Sequence, residues 1–530
     1  MIPALLCHSL LITELSCGAI GASPSLEIAI PDKVIYVNNH HPQADDSNRG
    51  INEEFPVRTI GAAAEIAMLN HKGGFSTKVI IYPGTYREQI KMDFQNRKAS
   101  PVIIFEAKER GTVVLSGSDV WKDWERVGKT DVYVHRWPYK WGFMAGPSQL
   151  TQKYGPIVRR REMLFVDHRP MAQVLSHDEL KTDTFYVSEE ESKIYLSLAS
   201  GRPWAEPVVE VAVRSDIFEI TRGENIIVRG MTFQHDTTGM STPGGALHFL
   251  HSNNILIENC EISWNNWFGL RFTQVDNVTT RRNRANYNGG AGWVGWKIKN
   301  LLSQGDETSY NNWRGVKGNF LGWEIAGLKH LSVHDAIYKD FKAIGNHTRG
   351  FWLDYDNSNI VIEEGCLCGN LMDGIDLEAS EGPITIVKSR ICRNQNYGIT
   401  SDSSRVTLDK NMIYGNGKSQ IKHAFANDRP VNNWETGNKL KIHGENWTLW
   451  NNIIASESPE ALLELSGGDQ FFTGLVLEGN VWHKVDRKHL FEVNKKSVTI
   501  QEWETMSPGQ RSTYANPLQF GINLSDENCR

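Results

Sequence analysis

The chain has 530 residues, 22% of them charged, and a formal net charge of −6. Without clustered Lys and Arg it lacks the electrostatic footprint of a nucleic-acid binder, and no run beyond the N-terminal segment has the roughly 18–20 apolar residues of a membrane helix. Its length suits one elongated repeat domain with an inserted module better than one ordinary domain.

In chain order, residues 2–13 (IPALLCHSLLIT) form a short apolar run followed by the small residues Gly18, Ala19, Gly21 and Ala22. The pattern predicts a secretory signal over 1–22 and a secreted or periplasmic protein, although the first Lys is Lys33 and a basic n-region is missing. Residues 33–117 read as an N-terminal cap and first coils: KVIYV, a polar loop, a helical stretch near 58–69, then KVIIYPGTY. That helix would shield the first coil from edge pairing. From 118 to 216 the strand signals DVYVHRW, EMLFVDHRPMAQV, DTFYVSEEESKIYLSL and VVEVAV are broken by turns, which predicts an inserted small antiparallel β-sandwich.

Residues 217–497 carry a repeat. Segments that open on a polar residue, or in one case a proline, and continue with β-branched ones start at Asn225, Asn254, Asn277, Asn300, His330, Asn359, Pro383 and Arg405, at intervals of 22 to 30 residues. Such a period has no room for a helix between strands and predicts an all-β fold, a right-handed parallel β-helix. Asn265, Asn288, Asn312 and Asn370 suit its corners. Residues 498–530 form a C-terminal tail with a helical stretch near 498–506. Of the seven cysteines, four (Cys260, Cys366, Cys368 and Cys392) fall in predicted strands and are expected as buried unpaired thiols, and no zinc spacing is present.

The chemistry concentrates in one stretch. Gly350-Phe351-Trp352-Leu353-Asp354, Gly374-Ile375-Asp376-Leu377-Glu378 and Gly398-Ile399-Thr400-Ser401-Asp402 follow each other at intervals of 24. Equal intervals predict one position on three consecutive coils, with Asp354, Glu378 and Asp402 stacked about 4.8 Å apart and Asp376 and Trp352 beside them. Carboxyl groups that close raise one pKa while a neighbour stays ionised, the division of labour that glycosidic bond cleavage needs. Stacking at about 5 Å corresponds to the retaining geometry. The bland alternative is an acidic ladder that satisfies turn amides or holds calcium, the one cofactor the residues leave open.

Around the ladder, Trp352 and Trp313 are candidate sugar platforms. Arg314, Lys329 and Arg349 are candidate cations for hydroxyls or acidic sugars, His347 beside Asn346 is a candidate hydrogen-bonding group, and Glu324 is a reserve carboxylate. His235 and Asp236 are expected at most on the rim of an extended cleft.

The stretch FWLDYDNSNIVIEEGCLCGNLMDGIDLEASEGP resembles glycoside hydrolase family 120, typified by β-xylosidases, and the segments RREMLFVDHRP, FYV…IYLSL and NNWRGVKGNFLGWEIAGLK extend the likeness over about residues 33–510. In that family an Asp in a W-L-D element and a Glu before G-P are nucleophile and acid/base. The resemblance therefore implies Asp354 and Glu378 in those roles, with Asp376 the other candidate for acid/base, in a retaining, β-xylosidase-like hydrolase of plant- or algal-type oligo- or polysaccharide. Ala379-Ser380-Glu381 departs from the family's usual run, and β-helix glycosidases of family 141 share the general layout. Two rival readings stand beside it: a lyase on uronate-containing glycan with Lys329 and Arg349 as base and acid, and a non-catalytic carbohydrate-binding β-helix. The sequence leaves the sugar, exo or endo action and homo-oligomer formation open.

Overall fold

Backbone pairing defines the architecture. The computed structural model describes residues 30–95, 101–146, 154–199, 207–240, 242–424, 428–484, 489–506 and 512–516. The segment expected as a signal lies outside these residues, as do Cys7, Cys17 and Cys529. Strands stack in parallel, coil upon coil, into a right-handed β-helix. Leu270–Arg281 pairs with Trp293–Gln304, which pairs with Leu328–Lys339; further coils add Phe351–Asp354, Ile375–Leu377 and Ile399–Ser401 in unbroken register. Inward positions repeat as apolar columns. Ile226, Ile255, Val278, Leu301, Ala336, Ile360, Ile384 and Val406 follow one another in register, all 0–1% exposed.

Two asparagine columns make the corners. At the bend within the long strands, Asn225, Asn254, Asn277, Asn300, Asp335 and Asn359 all adopt φ between 54° and 58°, left-handed backbone that Asn and Asp tolerate better than other side chains. The register here corrects one expected repeat start: the fifth corner is Asp335, not His330. His330 instead pairs with Gly295 and Leu353, and its ring is fully buried against the Tyr338 hydroxyl at 2.6 Å.

The other corner is a buried amide ladder of Asn265, Asn288, Asn311, Asn346, Asn370, Asn394 and Asn416. Each Nδ2 donates to the next Oδ1 at 2.8–3.1 Å. The rung is Asn311, one residue before the expected Asn312, and Asn346 is a structural rung too.

The ends and the insert follow from the same need to cover edges. Helix Ile60–Lys72 seals the first coil with Ile60, Ala63, Ala64 and Ala67; Thr59 caps it, and Glu88 accepts from the Ile60 and Gly61 amides at 2.9 and 2.7 Å. At the other end, Trp503 of helix Ile500–Met506 is buried and stacks on Phe491. Strands between Ser118–Val120 and Val209–Ala212 form two small sheets, antiparallel except for one parallel pair, around Trp137, Leu164, Phe185, Ile194 and Val211. The expectation of four unpaired thiols holds for Cys260; Cys366, Cys368 and Cys392 are disulfide-bonded. Cys260 is free and buried, but the register sets Cys368 opposite Cys392 with Cα atoms 4.5 Å apart, within bonding range, and they form a disulfide between neighbouring coils.

Asn370 tests the ladder. Its Oδ1 accepts from both the backbone and the side-chain nitrogen of Asn346. Asn370→Ala orphans these two buried donors, at about 1–3 kcal/mol each. The thermal unfolding midpoint, followed by circular dichroism, is expected to fall by several degrees while the β-sheet spectrum is kept.

Candidate active site

The 24-residue intervals do what their equality implies. Phe351 pairs with Ile375 and then Ile399, so Phe351, Leu353, Ile375, Leu377 and Ile399 point into the core and the residues between them point out. The Glu378 amide donates to Leu353 O at 2.7 Å and the Asp402 amide to Leu377 O at 3.1 Å, which carries the register through the acids. Asp354, Glu378 and Asp402 thus form one outward column on adjacent strands. A second column, two residues upstream in each strand, runs Arg271, Val294, Lys329, Trp352, Asp376 and Thr400.

Cations answer the acids locally. Lys329 Nζ lies 2.9 Å from Asp354 Oδ2. Arg349 Nε donates to Asp376 Oδ2 at 2.7 Å and lies 3.7 Å from Asp373. Arg429 reaches Glu378 Oε1 at 2.6 Å and Asp402 Oδ2 at 3.3 Å. Five carboxyl groups thus share three cations. Burial drives the Asp376 carboxyl up to about 7; Arg349 opposes this, while the Asp373 and Glu378 charges add to it. Burial also lowers the Lys329 pKa, against the pull of Asp354. For Arg429, burial acts downward, but Glu378 and Asp402 outweigh it and hold the guanidinium above its usual value.

The column opens into a cavity of about 370 Å³, lined among others by Arg271, Trp296, Trp323, Glu324, Lys329 and Asp354. Two excursions from the repeat stand beside the acids, and the first of them lines the cavity. Leu270, Trp293, Leu328, Phe351, Ile375, Ile399, Ile421 and Leu463 share one register position, and their spacings are 23, 35, 23, 24, 24, 22 and 42. The long interval of 35 contains the loop with Trp323 and Glu324. The interval of 42 contains the hairpin of Arg429–Asn432 and Lys439–Ile442, which brings Arg429 to the acids. This hairpin is latched by Trp434 N on Asp356 Oδ2 at 2.9 Å and His334 Nδ1 with Glu435 Oε2 at 2.9 Å.

The expected site residues separate into two groups. Asp354, Asp376, Glu378, Asp402, Lys329, Arg349 and Trp352 come together, and Glu324 joins them from across the cavity. Trp352 differs from an open sugar platform: it is 6% exposed, Lys329 and Arg349 lie 3.4 and 4.5 Å from its ring centre, and its Nε1 donates to Glu378 Oε2 at 3.2 Å. It orients Glu378.

Trp313 and Arg314 lie elsewhere, along a smaller, mainly apolar cavity of about 150 Å³ at the seam with the sandwich. Arg314 is fully buried there, donating to Gln173 Oε1 at 2.9 Å and Glu162 O at 2.7 Å, so it ties the loop that carries Glu324 to the sandwich. His347 is exposed on the turn before the ladder. His235 and Asp236 are buried and form no cleft rim. His235 stacks on Phe165 and bonds Ser118 Oγ at 2.9 Å, while Asp236 accepts from the Ile217 and Thr238 amides.

Sequence reading missed Arg429, Arg271, Trp296 and Trp323. The two long intervals were the available signal for Arg429 and Trp323. Metal-like convergence is absent: among the described residues no group of three or more His, Cys, Asp or Glu is arranged to hold a metal ion.

Comparison with known proteins agrees on the fold. The family described as "Right handed beta helix region" matches residues 219–416. No curated protein matches the chain in sequence. Among solved structures, that of XylC in complex with xylose is 17% identical, with a TM-score of 0.69, over 88% of this chain and 86% of that one. The A-module of mannuronan C-5 epimerase AlgE4 from Azotobacter vinelandii is 13% identical, TM-score 0.49, over 91% and 100% of the two chains. A structure described as a glycoside hydrolase is 14% identical, TM-score 0.45, over 90% and 99%. What the chain shares with XylC, at that identity, is a right-handed parallel β-helix over most of both lengths.

Proposed function

We propose that the protein is an exported, retaining glycoside hydrolase acting on plant- or algal-type oligo- or polysaccharide, with Asp354 as nucleophile and Glu378 as acid/base. One observation carries the reading: Asp354 and Glu378 occupy the same outward position on adjacent coils, and Asp354 lines a cavity whose walls include Trp296 and Trp323. Neighbouring strands lie about 4.8 Å apart, and carboxyl groups about 5–5.5 Å apart are the arrangement in which one attacks the anomeric carbon while the other serves the leaving oxygen. Lys329 Nζ, 2.9 Å from Asp354 Oδ2, positions the attacking carboxyl group. Trp352 and Arg429 orient Glu378, and the proton it gives to the leaving oxygen returns from the water that resolves the glycosyl-enzyme. Asp376, held behind Arg349, supports the pair by keeping a proton near neutrality, which spares Glu378 a further adjacent charge. The acids and tryptophans of the cleft suit a carbohydrate, and the resemblance to family 120 favours a β-xylosidase-like activity.

A second reading has its own support. Lys329 is buried and its pKa is lowered, as a proton-abstracting base requires, so a lyase acting beside a uronate carboxyl is the competitor.

The test is a panel of aryl glycosides and plant and algal polysaccharides, followed for reducing sugar and for the ultraviolet absorbance of unsaturated uronate. Reducing sugar without that absorbance is expected. Glu378→Gln should lower kcat by roughly 10²–10⁴-fold on natural glycans, and Asp354→Asn should abolish turnover. The first-formed anomer, followed by proton NMR, should retain the configuration of the substrate. Unsaturated product that survives both changes and disappears in Lys329→Ala would establish the lyase instead.

Asp376 gives a pH signature. Its folded pKa of about 7 lies above the ordinary 3.8, so its contribution to stability is complete below 3.8 and is lost as pH rises through about 7. Asp376→Asn lacks this titration. The melting temperature of the wild type relative to that variant should fall between about pH 4 and pH 8; a pH-independent difference would show that Asp376 does not titrate in that range.

A further inference from the structure

The cavity at the seam between sandwich and coils lies apart from the acids, and its chemistry differs from theirs. Its volume of about 150 Å³ is bounded by Phe165, Met171 and Phe185 from the sandwich and by Trp264, Trp313 and Lys317 from the coils. Contacts behind these walls hold them in place. The Phe165 ring stacks on His235 with centroids 3.7 Å apart, Trp264 stacks on Tyr287 at 4.9 Å, and Trp313 Nε1 donates to Tyr287 O at 2.8 Å. A space of this size between apolar walls suits one six-membered ring, since an engineered apolar cavity of about 150 Å³ takes up benzene.

Most polar side chains along the cavity already answer one another. Glu162 is fully buried; its Oε1 bonds Arg160, and its Oε2 accepts from Arg160 Nε at 3.0 Å and Gln173 Nε2 at 2.9 Å. Gln173 Oε1 accepts from Arg314 Nη1 at 2.9 Å, and Arg314 Nη2 donates to Glu162 O at 2.7 Å. Two cationic donors remain. Arg314 is 1% exposed, and its Nε is buried without an acceptor. Lys317 stands at the mouth with its ammonium 5.4 Å from the Trp313 ring centre. Desolvation, then the charge of Arg314, lowers the Lys317 pKa to about 8, and no carboxylate among the described residues opposes that shift.

This inventory selects the chemistry of an occupant. A sugar would bring several hydroxyl donors to a space whose uncommitted side-chain groups are themselves donors. A neutral aromatic ring would fill the space and leave both cations unanswered. A ring that carries one carboxylate satisfies both demands: its body rests between Phe165, Phe185, Trp264 and Trp313, and its anionic oxygens accept charge-assisted hydrogen bonds from the cations.

We propose that the seam cavity is a binding site for a single-ring aromatic carboxylate, held by the apolar walls and by Lys317 and Arg314. Both cations belong to the segment that runs on to Trp323 and Glu324, so a ligand here joins the sandwich to the loop that lines the larger cavity. The site is separate from the acid column, and its test does not depend on the hydrolase reading.

The experiment titrates benzoate into the whole chain by isothermal titration calorimetry, with benzyl alcohol, acetate and glucuronate as comparisons. Benzoate is expected to bind at one site with a Kd on the order of 0.1–1 mM, and each comparison about tenfold more weakly or worse. Lys317→Gln should weaken benzoate binding about tenfold, the loss of one charge-assisted contact, and leave the melting temperature of the ligand-free protein unchanged. Absence of benzoate binding up to about 10 mM would overturn the inference. So would equal affinity for benzyl alcohol or acetate, which would show that ring and charge are not read together. Glucuronate bound as tightly as benzoate would overturn the aromatic assignment, and an unchanged affinity in Lys317→Gln would place benzoate elsewhere on the molecule.

Discussion

The parallel pairing of each coil with the next, at a spacing of about 4.8 Å, is the constraint on which the rest of the structure depends. It converts sequence intervals into vertical columns. An inward column must be apolar throughout, as the run from Ile226 to Val406 is. A corner column must answer its own polar groups inside the protein, and the buried amides from Asn265 to Asn416 do so because one Asn supplies two donors and an acceptor in line with the stack. An outward column has no such rule, and that freedom is where the acids stand.

Stacking acids at strand spacing would be unfavourable alone. The structure offsets it with cations that come from different places: Lys329 from the adjacent column one coil below, Arg349 from the turn before the ladder, and Arg429 from a distant hairpin. Each lies beside a carboxylate it stabilises, so the acids are differentiated. Asp354 faces an ammonium, Glu378 is held by an indole and a guanidinium, and Asp376 is deep enough that burial outweighs its arginine. Different environments imposed on chemically similar groups are what acid and base roles require. This differentiation also weakens the view of the ladder as turn scaffolding: only Asp402, which accepts from the Ala379 amide at 2.6 Å, does that work.

The excursions shape the cleft that the repeat alone would leave as a flat face. The loop with Trp323 and Glu324 rises from one coil and is fastened to the sandwich through Arg314. The hairpin with Arg429 rises from another and is fastened to the coil corners at Asp356 and His334. Both anchors are buried or ion-paired, so the inserted sandwich and the hairpin act on the site by holding its walls.

The sequence by itself determined the coil repeat, the inserted sandwich and the alignment of Asp354, Glu378 and Asp402. Strand alternation and equal intervals are local, and parallel pairing transmits them without loss. It misread places where the period slips, assigning a corner to His330 instead of Asp335, five residues on, and to Asn312 instead of the adjacent Asn311, because such shifts leave composition unchanged. Trp313 and Arg314 looked like neighbours of the ladder, yet they turn toward the sandwich. Only the tertiary structure decided the Cys368–Cys392 bond, the role of Trp352 as a support for Glu378, and the arrival of Arg429, which lies 51 residues beyond that acid. Those contacts depend on where a loop of arbitrary length returns to the surface, and no periodicity in the chain encodes that.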